Sequence, residues 1–189
     1  MVESSEDRSG SPAEDSAARA PHFVHGPRGT RARMVDVGAK EATPRVALAR
    51  AQVVLPAGLW ERAASGGNPK GPVEEVARIA GVLAAKRTDT LIPLCHGLPL
   101  EHVDVWFHLA PGRGIDVYCE ARCRAVTGVE MEALVGASIA ALTVYDMLKG
   151  LDHGIRIEAV ELLEKRGGRS GTWRAAGWDK IPDARANLG

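Results

Sequence analysis

The chain has 189 residues, 45% of them hydrophobic and 25% charged, which excludes a largely disordered protein and suits one well-packed domain. Lys and Arg number 24 against 24 Asp and Glu, so no overall charge attracts the chain to nucleic acid or to an anionic membrane. No apolar run approaches the roughly 18 residues of a membrane span, and residues 1–19 lack the pattern of a secretory signal, so we expect a cytoplasmic protein.

The two ends of the chain differ in composition from its middle. Residues 1–30 are rich in small, charged and Pro residues and contain few large apolar ones, so we expect a disordered N-terminal extension. Residues 31–171 carry readable hydrophobic periods and are the expected folded domain. Residues 172–189 form a C-terminal tail, in which Trp173 and Trp178 indicate partial docking without a clear period.

Hydrophobic periods predict six elements in the middle of the chain. In order they are a strand at 46–55, a helix at 73–86 that begins behind Pro72, antiparallel strands at 103–109 and 117–125, a helix over Glu130–Leu148 and a strand at 155–163. The second helix is apolar on nearly every face, and such helices often contact another subunit. The order predicts a single-domain α+β fold of the ferredoxin-like kind, a four-stranded antiparallel sheet covered by two helices.

The three cysteines predict reduced thiols, because their number is odd and no secretory signal precedes them. Cys95 and His96 are adjacent in a loop, where a buried thiol and a hydrogen-bonded imidazole are the ordinary interpretation. These two residues with Cys119 and Cys123 could be counted as zinc ligands. However, Cys119 and Cys123 lie about 13 Å apart if they share a strand, and two sulfurs on one zinc lie about 4 Å apart. We therefore expect no metal site.

Acidic residues mark both ends of the second predicted helix. Glu130 and Glu132 lie in its first turn, where the helix dipole stabilises carboxylates without any further role. Asp146 lies among apolar residues and must be paired or functional, and Lys149 is a ready ion-pair partner. Glu132 and Asp146 are separated by about 21 Å along a helix. Either only one of them is catalytic, or two subunits assemble the site.

Two basic loops that contain glycine are candidates for binding anions. Residues 68–71 place Lys70 at the N-terminus of the first predicted helix, where free N–H groups and the helix dipole favour anions. Residues 165–171 combine Lys165 and two arginines with three glycines, which suits phosphates although the order of a P-loop is missing. Each loop, taken alone, is more often a solvated turn, and that alternative stays open.

Six short segments form a highly specific combination. They are MVDV at 34–37, KG at 70–71, AKRT at 85–88, LIPLCH at 91–96, TGVEMEAL at 127–134 and YDM at 145–147 with Lys149. Together they resemble the molybdenum cofactor biosynthesis protein C family, the cyclic pyranopterin monophosphate synthases. The likeness makes residues 31–171 the expected catalytic domain. Gly97 stands where this family usually has Pro, which should loosen the loop that carries His96.

The resemblance implies a ferredoxin-like subunit in a homo-hexamer, a trimer of dimers with active sites at the dimer interface. It implies a lyase whose substrate, 3′,8-cyclo-7,8-dihydroguanosine 5′-triphosphate, is supplied by an upstream radical SAM GTP cyclase. The products would be cyclic pyranopterin monophosphate and diphosphate. The reaction needs proton transfers and charge neutralisation, which lysines, a carboxylate and an imidazole supply. We expect no cofactor, with magnesium entering only on the triphosphate.

The resemblance also implies a role for ten residues. Asp146 would be the catalytic acid/base, with Lys70 and Lys149 as catalytic lysines. The substrate pocket would be lined by Leu94, Cys95, His96, Met131 and Glu132, with Lys165 near the phosphates and Glu130 supporting the site. The order of the proton transfers and the role of each lysine stay open.

The competing class is a non-catalytic ferredoxin-like module that binds a nucleotide or RNA through its sheet. Its exposed strand residues would be aromatic and basic. Only Trp106 and Tyr118 meet that description, and the net charge is zero. The residues therefore favour an enzyme.

Overall fold

The computed structural model describes residues 23–27, 29–63, 68–110 and 112–178. The chain divides into two compact units, residues 1–36 and residues 37–189. In the first unit, β1 (Phe23–Gly26) and β2 (Gly29–Ala32) form an antiparallel hairpin that the composition of this stretch does not predict. Residues 1–22 of the predicted disordered extension lie outside the described residues. The boundaries of the predicted catalytic domain stay a prediction.

The second unit is an α+β domain built on one antiparallel sheet. Its strands are β3 (Thr43–Val54), β4 (Leu100–Ala110), β5 (Gly114–Ala125), β6 (Arg156–Arg166) and β7 (Trp173–Arg174). Its helices are α1 (Leu59–Arg62), α2 (Val73–Ala85), α3 (Thr88–Leu91) and α4 (Glu130–Leu148). The strand order is β4-β5-β3-β6-β7, and every neighbouring pair is antiparallel.

The prediction of a four-stranded sheet is wrong by one strand. The two residues of β7 pair with the end of β6 and extend the sheet at that edge. Two residues cannot display a period, so hydrophobic patterning has no means of detecting such a strand. The four longer strands and both long helices lie where the sequence predicts them, with ends shifted by a few residues.

Small side chains bring the two long helices close to the sheet and to each other. On β3 every second residue is a buried small or β-branched residue, namely Ala47, Ala49, Ala51 and Val53. A Cβ on Gly81 of α2 would lie 2.9 Å from the carbonyl oxygen of Gly136 of α4, and a Cβ on Gly136 would lie 2.5 Å from Cys119 Sγ. Both positions therefore require glycine for the layers to pack at this distance.

The apolar character of α4 is mostly explained by this packing. By length and composition α4 is apolar enough to cross a membrane, contrary to the prediction that no run is, but half of that stretch is buried within the chain. Exposed apolar residues remain on both α4 and α2, which pack against each other, and we call these residues the helix face. This helix face consists of Val76, Ile79, Leu83, Met131 and Leu142. The cytoplasmic location stays a prediction.

Candidate active site

Three charged side chains meet at the C-terminal end of α4. Lys149 Nζ lies 2.6 Å from one carboxylate oxygen of Asp146, and Lys70 Nζ lies 2.8 Å from the other. Lys70 Nζ also donates a hydrogen bond of 2.7 Å to the backbone carbonyl oxygen of Asp146. We call Lys70, Asp146 and Lys149 the lysine cluster. The helical spacing of Asp146 and Lys149 predicts their ion pair, whereas Lys70 reaches the cluster only through the fold.

A tight turn before α2 positions Lys70. The Asn68 side chain accepts a hydrogen bond from the Lys70 backbone N–H at 3.2 Å and donates one to the carbonyl oxygen of Gly71 at 3.0 Å. Gly71 has a φ of 89°, a left-handed conformation that strongly favours glycine. The sequence segment from Asn68 to Gly71 thus fixes the backbone from which the lysine extends toward α4.

The two ammonium groups keep Asp146 ionised. Hydrogen bonds from Lys149 and Lys70 lower the pKa of Asp146 to about 2, and the carboxylate in turn raises the pKa of Lys149. The Asp146 side chain is 53% exposed, so its apolar neighbours in the sequence do not bury it in a single chain. Its neighbours turn inward while Asp146 lies on the outward side of α4, and the cluster is open to an anionic ligand.

A second group of titratable residues lies at the N-terminal end of α4. Lys165 Nζ of β6 is 3.0 Å from Glu130 Oε1. Glu132 is only 4% exposed, and burial raises its pKa to about 7, with the charges of Glu130 and Asp89 adding to the increase. Burial and then the charge of Glu132 raise the pKa of Cys95. We call Glu130, Glu132, Cys95 and Lys165 the glutamate cluster.

The loop that carries Cys95 and His96 is conformationally unusual. Leu94 has a φ of 68°, which non-glycine residues seldom adopt and which costs on the order of 1–3 kcal/mol. A Cβ on Gly97 would lie 3.0 Å from Asp89 Oδ2. Gly97 therefore lets the Asp89 carboxylate approach the loop closely, instead of simply loosening the loop as the sequence suggests. Sequence reasoning missed Asp89, whose only signal is its place just ahead of the Cys95-His96 segment.

Arg45 is a second residue that the sequence does not single out. Its side chain donates to the carbonyl oxygen of Ala125 at 3.3 Å and lies against the basic loop after β6. A Cβ on Gly168, whose φ is 72°, would lie 2.0 Å from Arg45 Nη1. The glycines of this loop therefore make room for a further cation near Lys165, which increases the positive charge available to phosphates.

The structure divides the predicted site residues between the two ends of α4. Fourteen residues of the helix separate Glu132 from Asp146, about 21 Å at 1.5 Å per residue. Leu94, His96 and Met131 adjoin the glutamate cluster in the chain. One chain therefore assembles the lysine cluster and the glutamate cluster separately and does not bring them together around one ligand.

Residues 34–168 match the model of the MoaC family. This chain belongs to the MoaC family. A cyclic pyranopterin monophosphate synthase from Chloroflexus aggregans is 53% identical over 145 residues, covering 76% of this chain and 88% of the relative. A protein of the same name from Novosphingobium aromaticivorans is 52% identical over 154 residues, covering 82% and 98%. The MoaC match includes both clusters and ends before β7.

A cavity and two buried cysteines of this MoaC family chain lie outside the predicted site. A cavity of 440 Å³ opens near the turn that holds Lys70, and Trp60, Pro72 and Glu74 are among its lining residues. None of the predicted site residues lines it. Within residues 23–27, 29–63, 68–110 and 112–178, no three His, Cys, Asp or Glu side chains are grouped to hold a metal ion. Cys119 and Cys123 lie on β5 and are buried in the hydrophobic core.

Proposed function

We propose that this chain is a cyclic pyranopterin monophosphate synthase, a lyase of molybdenum cofactor biosynthesis. Its substrate is 3′,8-cyclo-7,8-dihydroguanosine 5′-triphosphate, and its products are cyclic pyranopterin monophosphate and diphosphate. The names of relatives that are 52–53% identical over most of their length support this activity. The main structural support for this activity is the lysine cluster. In it, a carboxylate and two ammonium groups form a solvent-exposed site suited to binding an anion, within the MoaC match.

The separation of the two clusters supports a composite site. We propose that the lysine cluster of one subunit faces the glutamate cluster of a partner, since about 21 Å of helix prevents their meeting within one chain. The exposed apolar helix face of α2 and α4, with Ile79 59% exposed, is suited to burial against another copy. We extend the proposal to the homo-hexamer of ferredoxin-like subunits, a trimer of dimers.

The ion pairs of Asp146 with Lys70 and Lys149 have to be replaced before the Asp146 carboxylate can accept a proton. A carboxylate with a pKa near 2 is a poor base at neutral pH. The incoming triphosphate competes for the ammonium groups of Lys70 and Lys149, and each cation that turns to phosphate raises the proton affinity of Asp146. Substrate binding itself thereby activates the base.

The glutamate cluster supplies the complementary chemistry. Burial raises the pKa of Glu132 to about 7, so this carboxyl group is suited to proton transfer near neutral pH during ring rebuilding. Lys165 adds positive charge for the triphosphate, which loses diphosphate as the cyclic phosphate closes. These steps exchange protons and phosphoryl bonds without electron transfer, so we propose no resident redox cofactor.

The test is a coupled assay with an upstream radical SAM GTP cyclase, scored for pterin product and diphosphate. The wild-type chain should form both, and Asp146→Asn should lower the rate by at least about 100-fold because the acid/base group is lost. Asp152→Asn is the matched control, since Asp152 is a nearby, half-buried acid paired with Arg62 at 3.7 Å outside both clusters. Salt-dependent RNA binding by the wild type without turnover would instead favour the non-catalytic module.

A further inference from the structure

The C-terminal segment, residues 172–178, pairs with the sheet beside a proposed substrate residue. In β7, Arg174 is the register partner of Glu164 and Trp173 is the register partner of Lys165. The Ala175 backbone N–H donates a hydrogen bond of 2.8 Å to the carbonyl oxygen of Leu163. The segment therefore pairs with three consecutive residues near the end of β6, namely Leu163, Glu164 and Lys165. Lys165 belongs to the glutamate cluster.

These contacts fall on a β-bulge. Leu48 of β3 is paired with Glu164, and Ala49 is paired with Leu162, so Leu163 has no partner on β3. Leu163 and its neighbour Glu164 are both buried. An extra residue in a strand reverses the alternation of side chains that follow it. Because of the bulge, Lys165 reaches Glu130 on the helix side of the sheet, and without it Lys165 would lie on the opposite face.

An ion pair fastens the segment to the bulge. Arg174 Nε donates to Glu164 Oε2 at 2.8 Å, while Arg166 Nε lies 2.6 Å from Glu164 Oε1. Glu164 is only 6% exposed, and a buried carboxylate without partners is strongly unfavourable. Arg174 thus satisfies a charge on the bulge that β3 does not satisfy.

An aromatic contact holds the far end of the segment. Trp178 lies beneath the guanidinium of Arg50, with Cζ 4.4 Å from the ring centroid, and meets Tyr118 edge to face at 6.5 Å. Arg50 is fixed by Glu161 and Asp116 on neighbouring strands. The segment is therefore anchored on both sides of Ala175, and the bulge at Leu163 lies between its two anchors.

We propose that the C-terminal segment is a positioning element of the active site, which holds the β-bulge at Leu163 and thereby directs Lys165 toward the substrate phosphates. This inference rests on the proposed function. Arg174 and Trp178 act through β6 and touch no reacting atom. The segment lies beyond the MoaC match, so the family model assigns it no role.

The test compares steady-state constants of Arg174→Ala, Arg174→Lys and Lys165→Ala in the coupled assay, at a temperature where each is shown to be folded. Lys165→Ala and Arg174→Ala should each raise KM about tenfold, the effect of losing one charge-assisted hydrogen bond, with kcat within about twofold. Arg174→Lys should restore most of the wild-type KM. Arg156→Ala is the control, because Arg156 pairs with Glu158 at the opposite end of β6 and should leave KM unchanged.

The double variant Arg174→Ala/Lys165→Ala separates positioning from stability. If Arg174 acts through Lys165, the second substitution adds nothing to the KM of Lys165→Ala, while additive effects contradict the inference. A lower melting temperature with unchanged KM in Arg174→Ala also contradicts it. Absence of pterin product from the wild type is a different result, which overturns the proposed function itself.

Discussion

Glu132 is a buried carboxyl group whose proton affinity depends on neighbours from several elements. Its neighbours are Glu130 on α4, Asp89 on α3, Cys95 in the loop between α3 and β4, and Cys123 on β5. Burial is the largest cause of its high pKa, and the negative charges add to it. The chain thus provides a group that titrates near neutral pH, which a solvent-exposed glutamate does not do.

The raised pKa predicts a specific pH dependence of stability. Folded Glu132 binds its proton more tightly than the unfolded chain, so its contribution is present below the unfolded pKa of 4.5 and is lost as pH rises to about 7. Asp89→Asn removes one negative charge and should lower the pKa of Glu132 and reduce this loss. Carboxyl NMR titration of Glu132 measures the shift directly.

Glu158→Gln is the control for the Asp89 prediction, since Glu158 is an exposed acid that pairs with Arg156 far from the cluster. It should leave the Glu132 titration unchanged. An unchanged Glu132 pKa in Asp89→Asn, in a folded protein, would show that Asp89 does not face the carboxyl group.

Residue patterns predict some site contacts and miss others for a definite reason. The pair Asp146 and Lys149 follows from helical spacing, since side chains three residues apart are neighbours on a helix. Lys70 meets Asp146 across 76 residues of sequence, and only the family resemblance placed the two in one site. Asp89 and Arg45 act through close approach to Gly97 and Gly168, which no local period records.

At the level of elements, the contact between α4 and the sheet depends on glycine. Gly136→Ala adds a methyl group 2.5 Å from Cys119 Sγ, so the helix has to move from the sheet. Overpacking of this kind costs about 1–3 kcal/mol and helix propensity gains roughly 1 kcal/mol, so the free energy of unfolding should fall by up to about 2 kcal/mol. Chemical denaturation of both proteins measures the difference.

Gly150→Ala is the matched control for this prediction. No atom lies within 4 Å of a Cβ built at Gly150, and its φ is not in the left-handed region. The substitution should leave the free energy of unfolding nearly unchanged. Equal stability of Gly136→Ala and wild type would mean that the helices have room that the structure does not show.

Long periodic elements were predictable, while the edge of the sheet was not. The bounds of α4 agree with the sequence prediction, because 19 apolar-rich residues between Gly128 and Gly150 leave little ambiguity. The bulge at Leu163 and the two residues of β7 depend on pairing partners from other parts of the chain. Strand ends and edge strands are therefore set by tertiary contacts that a local pattern does not contain.

At the scale of the whole molecule, the separation of Glu132 and Asp146 bears on how many subunits form the site. Their spacing in the sequence already raised this question. The distance between Glu132 and Asp146 required either one functional acid or two subunits, and the structure pairs Asp146 with two lysines while Glu132 is buried among other acids. The exposed apolar helix face gives a surface on which two copies could meet. A site built from opposite ends of α4 in two copies accounts for both observations.

Mixing inactive variants tests this composite site most directly. We predict that Asp146→Asn and Glu132→Gln, each inactive alone, regain up to about a quarter of wild-type activity after subunits are exchanged, because half of the dimers then contain one intact site. Asp146→Asn mixed with Lys70→Ala should regain none, since both residues lie in one lysine cluster. No recovery in the first mixture despite confirmed exchange, or recovery in the second, would contradict the composite site.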